Sequence, residues 1–129
     1  MAESQVEKEL PLTPLTFQIL LALADQERHG YGVIKEIERQ SAGTMAPATG
    51  ALYLAAQRLL DAGYIEESED RPDPELDDRR RKYYRLTAFG RSVAAAEAKR
   101  MVNLVGIAFK KHLVEGLLTL SDVEEGKPG

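Results

Sequence analysis

Apolar residues recur at three- and four-residue spacing through LTFQILLALAD, where Leu15, Ile19, Leu20, Ala22 and Leu23 make one broad face. That period predicts a core helix, and Thr13-Pro14 marks its start, because proline in a first turn forfeits no helical hydrogen bond. After the punctuation Arg28-His29-Gly30-Tyr31-Gly32, the positions of Val33, Ile34 and Ile37 predict a second short helix, closed by Gly43. A third helix is expected over about 46–62. Pro47 stands in its first turn, Leu52, Ala55, Ala56, Leu59 and Leu60 face inward, and Gly63 stops it.

The period then changes from 3.6 to 2. Residues 64–69, YIEESE, and 81–87, RKYYRLT, read as two strands of a hairpin whose long polar tip holds Pro72 and Pro74. With Leu86 turned to the core, Tyr84 shares its face, and Tyr83 and Arg85 are expected on the other. From Thr87, read as a cap, a final helix is expected to about Leu120. Its apolar stripe is longer than so short a chain can cover, so Ala98, Met101, Val105, Phe109, Leu113 and Leu117 are expected to meet a second copy of the chain. The polar residues 1–10 read as a flexible arm, and 121–129 as a disordered tail without enough apolar content to fold. The expected division is thus arm 1–10, compact domain 11–88, dimerisation helix 89–120 and tail 121–129.

A chain of 129 residues suits one small domain with an appended element. The fold class is mainly α with a small β-hairpin, and three helices followed by a hairpin is the order of a winged helix-turn-helix. In that arrangement the third helix can enter a major groove, where base edges display a readable donor and acceptor code, while the hairpin lies along the backbone or reaches a minor groove. Thr49, Tyr53 and Gln57 stand at four-residue spacing on the third helix, which puts them on one face as candidate base readers.

The formal net charge is −4, which argues against nucleic acid as a partner until its distribution is considered. Residues 66–78 hold eight acids and one arginine, whereas 79–91 hold five arginines, one lysine and no acid. Arg79, Arg80, Arg81, Lys82 and Arg85 are therefore candidate phosphate contacts, with Tyr83 beside them as a hydroxyl donor. Neutralising around six phosphates would give a logarithmic salt slope near −5.

Other chemistries find no residues to carry them. There is no cysteine, and His29 and His112, the two histidines, stand far apart without a companion ligand set. No nucleophile with a general base and no glycine-rich phosphate loop appears, so neither an enzyme nor a cofactor is expected. The N-terminus carries glutamates where a secretory signal would be basic and then apolar, and no apolar run is long enough for a membrane span. A cytoplasmic location with no membrane partner is expected.

HGYGVIKEIE, GALYLAAQRLLDAGYIE and RRRKYYRLTAFG, in this order, resemble three signatures of the PadR family of bacterial transcriptional regulators, over about residues 12–90. The resemblance implies a homodimer built by C-terminal helices that represses by occupying double-stranded operator DNA, often until a small-molecule effector releases it. In two places the chain departs from the family pattern: Leu54 follows Leu-Tyr where proline is usual, and the hairpin tip RPDPELDD is unusually acidic. The rival reading is a winged-helix dimer that has lost DNA affinity and acts as a protein-interaction module through that acidic tip.

Overall fold

The computed structural model describes residues 2–68 and 82–115. In chain order it contains α1 (Ala2–Glu7), α2 (Pro14–Ala22), β1 (Arg28–His29), α3 (Gly30–Gln40), α4 (Thr49–Ala62), β2 (Ile65–Ser68), β3 (Tyr83–Leu86) and α5 (Ala88–Lys110). The hairpin tip, with Pro72, Pro74 and Arg79 to Arg81, lies outside the described residues, as do Leu117 and the tail 121–129. Two compact units divide the chain, Met1–Glu97 and Ala98–Gly129.

The first unit is built by the apolar faces that the sequence displays. Ile19, Leu20, Ala22 and Leu23 of the first periodic run meet Val33, Ile34 and Ile37 of α3 and Leu52, Ala55, Ala56 and Leu59 of α4 in one core. Helix starts are set by local chemistry. The Thr13 hydroxyl accepts a hydrogen bond from the Thr16 N–H at 3.2 Å, with Pro14 as the first helical residue. The His29 imidazole does the same for α3, its Nδ1 accepting from the Gly32 N–H at 3.1 Å. At the far end of α4, Gly63 takes a left-handed φ of 81°, and the Tyr64 N–H reaches back to the Leu59 carbonyl at 3.0 Å.

The sheet has three strands, not the two of a simple hairpin. β3 lies in the middle, antiparallel to β2 on one side and to the two-residue β1 on the other. Two residues carry no readable period, so β1 left no trace in the apolar pattern. Its presence changes the environment of β3: Tyr83 and Tyr84 are both buried. Tyr84 packs in the core as expected. Tyr83, expected to face solvent beside Arg85, instead stands edge-on to His29, with ring centroids 5.3 Å apart.

The N-terminal segment corrects a second expectation. Residues 1–10 are not a free arm: α1 forms, Val6 is buried in the core, and Leu10 packs against it. The Tyr64 hydroxyl donates to the Glu9 carboxylate, and burial, with Glu9 next, raises the Tyr64 pKa above its ordinary value of 10.

The start of α5 is held tightly. Thr87 caps it, its hydroxyl oxygen accepting from the Gly90 N–H at 2.9 Å while the hydroxyl donates to the Gly63 carbonyl at 2.6 Å. Gly90 lies against the Tyr64 backbone so closely that a Cβ there would stand 2.7 Å from the Tyr64 carbonyl carbon. Gly90, Val93 and Glu97 form the buried face. Glu97 is fully buried, and its carboxylate accepts the Leu12 N–H at 2.9 Å. An acidic residue in an apolar position is invisible to a hydrophobic stripe, so this face falls outside the stripe expected from Ala98 onward. It also carries the compact unit to residue 97, later than the expected boundary at 88.

In the second unit, α5 ends at Lys110, ten residues short of the expected Leu120. His112 adopts a left-handed φ of 63°, and the Leu113 N–H bonds the Ala108 carbonyl at 3.0 Å, which closes the last turn. No helix among the described residues is long and apolar enough to cross a membrane.

Candidate nucleic-acid interface

With Leu52, Ala55, Ala56 and Leu59 buried, α4 turns its other side outward. Thr49, Tyr53 and Gln57, the expected base readers, are all exposed, as are Gly50, Leu54, Arg58 and Asp61. At about 100° per residue, Gly50, Leu54, Gln57 and Asp61 occupy the outermost strip, opposite the core, while Tyr53 lies on its flank. Tyr53 keeps 41% of its surface exposed, but the hydroxyl end of its ring rests over Gly30, at the first turn of α3. Gln57 donates from its side-chain amide to Asp61 at 3.1 Å, so its free end is the carbonyl oxygen. Ala48, before α4, has no polar side chain to cap the helix and makes no side-chain cap bond.

The hairpin strands carry cations that already have partners. Arg85 Nε donates to the Glu66 carboxylate at 2.9 Å, directly across the β2–β3 ladder. Lys82 stands 3.6 Å from Glu67. Both ammonium and guanidinium groups are largely exposed, so these pairs are weak and open to exchange. Of the six hairpin residues expected at phosphates, Lys82 and Arg85 are exposed, Tyr83 is buried, and Arg79, Arg80 and Arg81 lie outside the described residues. Tyr84, beneath them, has its pKa pushed up to about 12, first by burial and then by Tyr53 and Glu67.

α3 adds an exposed group that the apolar pattern did not single out. Tyr31 is 58% exposed, stacks with His29, and carries the Lys35 ammonium 5.2 Å above its ring. The outward side of the same helix is braced by a charged cluster. Glu36, which is buried, accepts from Arg39 Nε at 2.9 Å and lies 3.7 Å from Arg28. The hydrogen bond from Arg39 comes first in holding its carboxyl below the usual 4.5, with the charge of Arg28 adding to it against the opposing effect of burial. Arg28 Nε in turn donates to the Ala22 carbonyl at 2.7 Å, tying β1 back to the end of α2.

In the second unit the expected pairing residues are presented to solvent. Val105, Phe109 and Leu113 are 43%, 52% and 77% exposed, while Ala98 and Met101 are half-buried. The apolar surface is wider than the expected stripe, since Val102, Leu104 and Ile107 are exposed as well. Among the described residues no group of three or more His, Cys, Asp or Glu is arranged to hold a metal.

Comparison with known proteins agrees with this geometry. Residues 19–96 match the model of the transcriptional regulator PadR-like family. Among solved structures, a PadR-family transcription regulator from Clostridium difficile is similar with a TM-score of 0.62 and 20% identity, over 76% of this chain and 97% of that one. RosR of H. salinarum gives 0.60 and 25%, over 74% and 78%. Bacillus subtilis PadR, in complex with operator DNA, gives 0.54 and 22%, over 67% of this chain and 46% of that one. No curated relative matches the chain. The likenesses identify the first unit's fold as a winged helix-turn-helix, with α3 and α4 as the helix pair and β2–β3 as the wing.

Proposed function

Because this chain belongs to the PadR-like family of transcriptional regulators, we propose that it binds operator DNA as a homodimer and represses transcription by occupying it. The observation that carries this reading is the exposed side of α4. Its outward face combines a bare glycine, a hydrogen-bonding Gln57 and Arg58 at the spacing that a major groove accepts. The uncapped N–H groups at Thr49 suit a phosphate at the helix start.

The wing supplies register. Lys82 and Arg85 exchange Glu67 and Glu66 for phosphate, a trade between exposed charge pairs that costs little. Arg79, Arg80 and Arg81 extend the same basic run. The dimer forms through the apolar face of α5 from Met101 onward, together with Leu113 just beyond the helix, and a small-molecule effector acts by altering how the two copies pair. For the DNA part of this reading, support comes from the likeness of fold to Bacillus subtilis PadR, which is in complex with operator DNA.

The paired wing cations favour one rival, a dimer that contacts protein instead of DNA. Fluorescence anisotropy with the duplex upstream of the chain's own gene, against a scrambled duplex from about 50 to 200 mM salt, separates the two. Tight, sequence-dependent binding with a slope near −5 is expected for some six phosphate contacts. Absence of binding to either duplex at the lowest salt refutes the operator reading.

A further inference from the structure

Leu54 is 59% exposed, more than any other large apolar residue described in the first unit. A single leucine at a surface is ordinary. This one stands on the outermost strip of α4, four residues after Gly50 and three before Gln57, where the operator reading places the floor of a major groove.

Two features of the helix shape what Leu54 offers. Side chains on a helix lean toward its N-terminus, so Leu54 points toward the turn of Gly50 without reaching over it. A Cβ built on Gly50 would meet nothing within 4 Å, so that turn is bare backbone under open space. The isobutyl group therefore stands exposed at the edge of a side-chain-free surface, with open space beside it for an apolar group. In the major groove every base edge offers donors or acceptors, and the one apolar group is the C5-methyl of thymine.

Building on the operator reading, we infer that Leu54 is a specificity-determining residue that seats the C5-methyl of one thymine in each half-site. Gln57 and Arg58, one turn further on, then meet the hydrogen-bonding edges of neighbouring bases, and Leu54 rejects cytosine at its position because cytosine lacks the methyl.

The test uses the footprinted operator, with each protected thymine replaced in turn by deoxyuridine, which removes the methyl and leaves base pairing intact. Wild-type protein is expected to lose about fourfold in affinity at one thymine per half-site, the value of one buried methyl. Leu54→Ala is expected to bind the unmodified operator several-fold more weakly and to be indifferent to deoxyuridine at that same position. Leu54→Met keeps an apolar reach and retains sensitivity. Because the side chain is exposed, the melting temperature of both variants is expected to match wild type. The inference is overturned if no single thymine matters to wild type, or if Leu54→Ala loses as much at that position as wild type does. Wild type that binds no duplex at all removes the operator reading itself, an outcome visible before any deoxyuridine is introduced.

Discussion

The ring of Tyr53 on α4 rests on Gly30 at the start of α3: a Cβ on that glycine would lie 2.6 Å from the phenol Cζ and 2.9 Å from Cε1. Gly30 is itself buried, so a residue with no exposed surface sets the position of one that has. Gly30→Ala is expected to push the ring outward, at about 1–3 kcal/mol of stability by overpacking, and to weaken operator binding. In a Tyr53→Ala background the same substitution should add almost nothing. Urea denaturation and anisotropy on the four proteins of this cycle measure the coupling directly.

At Gly90 the obstacle is backbone on both sides. A Cβ would stand 2.7 Å from the Tyr64 carbonyl carbon and 2.9 Å from its Cα, and neither atom can swing away as a ring can. Gly90→Ala is therefore expected to cost about 3 kcal/mol or more, visible as a large drop in urea midpoint with an unchanged m-value.

Glu36 makes stability depend on acid. Its folded pKa lies below 4.5 because of Arg39 first and Arg28 after it. A depressed carboxylate stabilises the fold fully above its unfolded pKa, and that contribution is lost as pH falls through the lower folded value. Glu36→Gln should be less stable than wild type at pH 7, with the gap closing as pH is taken from about 5 towards 3. The Arg39 side chain is 73% exposed, so solvent screens the pair and the gap should stay small.

For the proposed dimer, Val105→Asp with Phe109→Asp is the decisive change. Both side chains are exposed in the single chain, so the fold should survive, with an unchanged circular dichroism spectrum. Sedimentation at micromolar concentration should shift from dimer to monomer, and operator affinity should fall at least about a hundredfold as the two half-sites are no longer held together.

Much of the frame was legible in the chain because local and tertiary preferences agree. Ile19, Val33, Ile37, Leu52 and Leu59 obey a helical period and are buried, and Thr13 and Gly63 punctuate where their side chains, or lack of one, dictate. Illegible were the features set by partners distant in sequence. Tyr83 reads as outward until β1 is known to lie beside it, and β1 is too short to announce itself. Glu97 reads as solvent-facing until the Leu12 N–H is known to meet it. His112 closes α5 in a conformation that glycine would have advertised and histidine does not. On α4 the expected Thr49, Tyr53 and Gln57 are all exposed, but of these only Gln57 lies on the outermost strip; the flank position of Tyr53 and the outward display of Leu54 follow only from the helix rotation that the core imposes.

The corner at Tyr64 binds several parts of the first unit to one another. Its carbonyl receives the Thr87 N–H at 3.0 Å, its backbone admits only glycine at position 90, and its hydroxyl holds Glu9. Drift at any of these sites is penalised by the rest, whereas the open strip above Gly50 touches no neighbour that would object. A descendant of this gene can thus acquire a new target through one or two changes on α4 while inheriting its scaffold whole. Duplicated copies would diverge first in what they recognise and last in how they fold.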